Sequence, residues 1–182
     1  MRVISGTYRG RKLFCPEGLS TRPTLDRIKE NLFNLLPDPS GLRVLDLFSG
    51  AGGLGIEALS RGAASVDFCD CAEVAVRALR RNLEGMRGDA CIHVCDVERA
   101  LGRFGAAGET FDLILMDPPY RGGFYEPVCR RILECKLLEK NGLLAAESEA
   151  ALGIDFGRFG YEIVKDRKYG AVRLTLLKEI ES

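Results

Sequence analysis

From residue 43 onward, short apolar runs alternate with stretches of helical periodicity. Val44 to Phe48, Val66 to Cys69, Ile92 to Cys95, Phe111 to Met116 and Leu143 to Ala146 have the length and composition of buried strands. Between them lie segments such as Ala72 to Leu83, where Ala72, Ala75, Val76, Leu79 and Leu83 recur on one helical face. Strand and helix in strict alternation predict an α/β fold, a doubly wound and mostly parallel sheet with right-handed crossovers. The rhythm breaks at the end. Tyr161 to Val164 and Val172 to Leu177 are joined through Asp166-Arg167-Lys168-Tyr169-Gly170, with no room for a helix, and predict a terminal antiparallel hairpin.

Upstream of the alternation, Val3-Ile4 and Lys12-Leu13-Phe14 flank Gly6, Arg9 and Gly10 and read as a small hairpin whose basic side chains extend into solvent. After Pro23, Thr24 is placed to cap a helix carrying Leu25, Ile28, Leu32, Leu35 and Leu36 on one face and ending before Pro37. No repeat or linker interrupts the chain. We therefore expect a single domain, with residues 1–22 as a basic N-terminal extension and residues 23–182 as the core.

Composition narrows the class. A chain of 182 residues, 46% hydrophobic and 29% charged, suits one globular domain. No apolar run approaches the roughly 18 residues of a membrane span, and Met1 to Gly6 is interrupted by polar residues, so a cytoplasmic monomer is expected. Seven cysteines without a CxxC pair argue against a disulfide framework. Cys91, His93 and Cys95 alternate on one predicted strand but offer only part of a tetrahedral metal shell, and His93 is the only histidine. Core packing is the expectation for the cysteines, and no metal. Lys plus Arg equals Asp plus Glu at 26 each, which excludes a global field for nucleic acid. The charge is local instead: within residues 1–30, Arg2, Arg9, Arg11, Lys12, Arg22, Arg27 and Lys29 face only Glu17, Asp26 and Glu30.

Candidate chemistry lies at strand ends. Val44-Leu45-Asp46-Leu47-Phe48-Ser49-Gly50-Ala51-Gly52-Gly53-Leu54-Gly55 carries an acid at a strand end, then glycines, then a helix from about Leu54 to Ser60. Such a turn admits a ligand close to the backbone. Asp46 and Phe48 ahead of Gly50 and Gly52 depart from the dinucleotide fingerprint. Asp70 and Asp96 end the next two strands, where a carboxylate can accept from ribose hydroxyls or an adenine amino group. Three acids along one edge repel a phosphate-bearing cofactor but suit S-adenosylmethionine, which carries a sulfonium and an ammonium. The strand Phe111 to Met116 then ends in Asp117-Pro118-Pro119-Tyr120. The Asp117 carboxylate and the Pro118 carbonyl can take both N–H bonds of an exocyclic amino group and aim its nitrogen at a methyl donor. The prolines fix the backbone, and Tyr120 can stack on an extruded base.

Asp-Pro-Pro-Tyr after a methyltransferase glycine turn is similar to the amino-methyltransferases. More closely, the chain resembles the bacterial 16S rRNA guanine-N2 methyltransferase family called RsmD. The resemblance rests on Arg2 to Gly6, Arg9 to Leu13, Thr21 to Thr24, Glu30 to Asn34, Asp46 to Gly55, Glu57 to Ala63 and Asp117 to Tyr120. It implies a seven-stranded Rossmann-like methyltransferase sheet, S-adenosylmethionine contacts at Asp46, Phe48, Gly50, Asp70 and Asp96, and catalysis at Asp117, Pro118, Pro119 and Tyr120. It also implies 16S rRNA of the small ribosomal subunit as substrate, with guanine 966 the family target. Arg9, Arg11, Lys12 and Arg22 are the candidate RNA contacts, and Thr21 to Thr24 could line the pocket. Asp70 departs from the family, which usually carries Glu there, a longer reach to the ribose. The competing readings are an adenine-N6 DNA methyltransferase, which shares the tetrapeptide, a glutamine-N5 protein methyltransferase, which more commonly has Asn at position 117, and a non-catalytic RNA-binding assembly factor.

Overall fold

The computed structural model describes residues 1–16, 23–119 and 122–180. Its elements follow the predicted alternation: α1 (Pro23–Leu35), β1 (Arg43–Leu47), α2 (Gly53–Ser60), β2 (Ser65–Asp70), α3 (Glu73–Leu83), β3 (Asp89–Val94), α4 (Val97–Ala107), β4 (Phe111–Met116), α5 (Tyr125–Glu134), β5 (Leu138–Glu149), β6 (Tyr161–Tyr169) and β7 (Val172–Glu179). They build one seven-stranded sheet in the order β3-β2-β1-β4-β5-β7-β6. The β1 to β5 strands are parallel, while β7 runs antiparallel to both β5 and β6. The expected fold is thus observed.

Side-chain alternation with period two sorts the core into two layers. On one face Val44, Leu113, Leu115 and Ala145 pack against Ile28, Leu32 and Phe33 of α1 and Ile56 and Leu59 of α2. On the other, Leu45, Leu47, Ile114, Met116 and Ala146 meet Leu101 and Phe104 of α4 and Val128 and Ile132 of α5. Burying both faces is what makes β1 and β4 read as mostly apolar runs, broken only by Asp46 and Asp112 after their first residues.

The strand and helix boundaries differ from the expectation for physical reasons. α1 starts at Pro23 rather than behind a Thr24 cap, since proline's fixed φ suits a first helical position. β3 begins three residues before Ile92 and is largely exposed, because it is an edge strand that needs no apolar run. β5 extends past Ala146 through Glu147, Ser148 and Glu149, held by pairing to β7. The terminal hairpin closes tightly at Gly170-Ala171, so 166–169 is strand rather than connection. Cys69 and Cys129 are buried as expected, but Cys71 and Cys91 are exposed.

The N-terminal segment turns back on itself as a short hairpin: Arg2 stands opposite Lys12, Val3 N–H donates to the Arg11 carbonyl at 2.9 Å, Gly10 N–H to the Val3 carbonyl at 2.9 Å and Leu13 N–H to the Met1 carbonyl at 3.0 Å. Val3 and Leu13 are buried in the α1/α2 layer, and the loop is fastened to α2. The fully buried Glu57 accepts from Ile4 N–H at 2.8 Å, Ser5 N–H at 3.0 Å and Arg61 Nε at 2.8 Å. Buried Lys29, 3.5 Å from Glu57, donates to the Arg2 carbonyl at 2.6 Å. A Cβ on Gly6 would lie 1.7 Å from the Ser60 carbonyl oxygen, so only glycine lets the backbones meet here. Among the described residues, no helix is long and apolar enough to cross a membrane.

Candidate active site

The sheet order changes direction between β1 and β4: from β1 the chain builds outward to β2 and β3, and from β4 to β5 on the other side. Open α/β sheets bind ligands at such a switch point, beyond the carboxyl ends of the strands. The glycine turn after β1 and the Asp117 motif after β4 flank this point directly.

Asp46 lies beneath the turn. It is 2% exposed, and its Oδ2 accepts from Gly55 N–H at 2.8 Å, tying β1 to the first turn of α2. Burial outweighs that hydrogen bond and the nearby Asp70 adds to it, so the carboxyl is pushed up to about 7. Phe48 leaves β1 with a φ of 60°, a left-handed backbone rare for a bulky residue, and stands 5.1 Å from Phe124, centroid to centroid. Gly50 and Gly52 carry the positive φ angles that fold the turn back. Asp70 holds it from β2, its Oδ2 accepting from Gly50 N–H and its Oδ1 from Ala72 N–H, both at 2.8 Å. An ionised carboxylate has about four lone-pair positions, so ligand contacts remain open to it. Asp96 caps α4, its Oδ1 accepting from Arg99 N–H at 2.8 Å, while the residue stays exposed.

Asp117 follows β4 in the row of Leu113 and Leu115, half-buried at the rim, with Pro118 buried and Pro119 exposed. Tyr120 lies outside the described residues, as do Arg22 and Thr21. Burial raises Asp117 well above the ordinary carboxylate range, with Glu147 and then Asp46 adding to the effect. A carboxyl so placed has a strong affinity for a proton. Glu147 was missed in the sequence because it continues an apolar strand only through pairing with β7. Asn82 was missed as well. Asn82, 4% exposed, joins the N-terminal loop to the glycine turn: its Nδ2 donates to the carbonyls of Phe14 and Ala51, both at 2.9 Å, and its Oδ1 accepts from Phe14 N–H at 2.7 Å.

The basic surface is divided. Arg9 and Lys12 are exposed. Arg11 is committed to the fold, its Nη2 donating to the carbonyls of Asn82 at 3.1 Å and Glu84 at 2.5 Å. Beside it Phe14, 44% exposed, lies under the Arg81 guanidinium at 4.4 Å. A groove is lined by Arg2, Arg9 and Arg27 with Asp26 and Glu30. On edge strand β3, His93 Nε2 meets Asp67 Oδ1 at 2.7 Å near Cys91.

The family model for conserved hypothetical protein 95 matches residues 1–178. The Ribosomal RNA small subunit methyltransferase D of Escherichia coli strain K12 is 32% identical, over 97% of this chain and 88% of its own. The chain belongs to the ribosomal RNA small subunit methyltransferase D family. Two solved structures align with the chain nearly end to end. Escherichia coli yhhF aligns with a TM-score of 0.87 at 32% identity, over 98% of this chain and 97% of that one. The Thermus thermophilus protein TTHA0928 aligns at 0.83 and 30%, over 97% and 98%.

Proposed function

We propose that this protein transfers a methyl group from S-adenosylmethionine to the exocyclic N2 of a guanine in 16S rRNA of the small ribosomal subunit, guanine 966 being the family target, in the cytoplasm. The observation that carries this reading is the placement of Asp117-Pro118-Pro119 across the switch point from the glycine turn. The acids at the rim, Asp46, Asp70 and Asp117, fit a cofactor whose charges are a sulfonium and an ammonium and disfavour one bearing phosphate. Asp96 and the Asp70 carboxylate are the groups to hold its adenosine, and Phe48 with Phe124 forms an apolar wall beside it. When bound, the cofactor supplies an electrophilic methyl group.

An amino group on a purine is a poor nucleophile because its lone pair is delocalised into the ring. Asp117 and the Pro118 carbonyl accept its two N–H bonds, fix the nitrogen in line and favour its pyramidal geometry. Tyr120 stacks on the base. Arg9, Lys12 and the Phe14–Arg81 pair provide phosphate contacts and a stacking surface beside the glycine turn.

The test is methyl incorporation from labelled S-adenosylmethionine into small subunits, bare 16S rRNA and DNA, followed by nucleoside digestion. N2-methylguanine from small-subunit rRNA is expected. N6-methyladenine from DNA, or labelled protein, would replace this reading by a competing one.

A further inference from the structure

We propose that Glu147 is a positioning residue of the active site: it stands beside Asp117 at the β4–β5 rim, and the ionised pair takes up and shares the proton released by the methylated amino group, with Asp117 the group that receives it. The proposal rests on the amino-methyltransferase reading above and names a second carboxyl for that site.

Register fixes the placement. Met116 pairs with Ala146, so Asp117 and Glu147 are the next residues of neighbouring parallel strands, which run about 4.8 Å apart. Met116 and Ala146 belong to the α4/α5 layer, whereas Leu115 and Ala145 belong to the α1/α2 layer. By alternation Asp117 and Glu147 both face the α1/α2 side, as does Asp46 in the row of Val44. Three carboxyls from three adjacent strands thus converge on one side of the rim.

Glu147 is 6% exposed, and its backbone carbonyl accepts from the hydroxyl of buried Tyr125 at 2.9 Å, which anchors this extension of β5. A buried carboxyl costs stability that a Leu in the same row would not, so packing alone does not call for it. Among the described residues, the titratable groups acting on Asp117 are Glu147 from β5 and Asp46 from β1. The Tyr125 hydroxyl from α5 is itself raised, mainly by burial and then by Asp117, Glu147 and Glu149. Two carboxyls in such proximity resist full ionisation and titrate as a unit.

The chemistry then balances. The guanine nitrogen lone pair forms the new N–C bond, the C–S bond breaks with its electrons going to sulfur, and the positive charge passes from sulfur to nitrogen. That nitrogen loses one proton to the Asp117 carboxylate of the ionised pair, whose affinity for this first proton the Glu147 carboxylate enhances.

The experiment is a pH titration of the Asp117 carboxyl carbon by NMR in wild type, Glu147→Gln and Glu147→Asp, alongside the pH profile of kcat for rRNA methylation. We expect the Asp117 midpoint to fall by about 1–3 pH units in Glu147→Gln, the scale of removing one like charge, and to remain raised in Glu147→Asp. The acid limb of kcat should move down with it. An Asp117 midpoint equal in wild type and Glu147→Gln overturns the shared proton whether or not the substrate assignment holds. A shifted midpoint with an unmoved limb overturns the positioning role. Absent methylation of any guanine with a shifted midpoint refutes the substrate reading and leaves the carboxyl pair standing. Binding of S-adenosylhomocysteine reports folding of each variant.

Discussion

Replacing Gly55 by Ala sets two physical effects against each other in the first turn of α2. Helix propensity alone favours Ala over Gly by about 1 kcal/mol, so a local argument expects a more stable protein. The tertiary structure argues otherwise. A Cβ at this position would lie 2.3 Å from Cε1 of Phe68 and 2.8 Å from Asp46 Oδ2. Phe68 is 0% exposed in the middle of β2, so its ring has little freedom to retreat, and Asp46 is held by the Gly55 amide itself. Overpacking a filled core costs about 1–3 kcal/mol, and the rigid surroundings place this case toward the upper end. Subtracting the propensity gain leaves a loss of about 1–2 kcal/mol, or roughly 2–8 °C in Tm for a domain of this size. Because the displaced Asp46 braces the glycine turn, S-adenosylmethionine affinity measured by calorimetry should fall too. A Tm equal to or above wild type with unchanged affinity would refute the claim that Gly55 is required by close packing of turn, strand and acid.

Asp117→Ala should lose turnover by about two to three orders of magnitude, the scale of removing a preorganised electrostatic group, with much less effect on cofactor affinity; near-wild-type single-turnover rates would exclude it from the chemistry. Burial lifts Asp46 to about 7, so between about pH 4 and 7 the folded protein holds a proton that the unfolded chain releases. Wild-type stability therefore declines as pH rises through that window and levels above it, and Asp46→Asn should gain on wild type by up to about 4 kcal/mol across it. Urea unfolding at about pH 4 and about pH 8 that gave the same difference between the two proteins would remove the shift. Replacing exposed Arg9 and Lys12 together by Ala should flatten the salt dependence of small-subunit binding by roughly 1.4–1.8 in log affinity against log salt; parallel slopes would move the RNA contact elsewhere. Asn82→Ala leaves the buried Ala51 carbonyl and the part-buried Phe14 backbone without their partner and should cost about 1–3 kcal/mol, read as a lower urea midpoint, and an unaltered midpoint would show that the loop and turn are not joined through it.

What the sequence determined by itself was whatever local pattern controls. Alternating apolar runs and helical spacings carried the α/β class, because parallel strands buried on both faces are largely apolar. The acids at strand ends and the Asp117 tetrapeptide were legible because such motifs are contiguous: a strand, a turn and the side chains at its end lie within a few residues of one another. Tertiary structure decided the rest. Arg11 reads as a free cation in sequence, yet the Asn82 and Glu84 carbonyls claim it across 71 and 73 residues. Glu147 reads as the polar end of a short strand, yet pairing with β7 carries β5 onward and buries this acid beside Asp117. The N-terminal residues read as an appendage, whereas buried Glu57 fastens them to α2 and buried Lys29 to α1. Each of these depends on partners that only the folded chain brings together. Hydrophobic period records which face a residue turns inward, not which buried polar group it meets there.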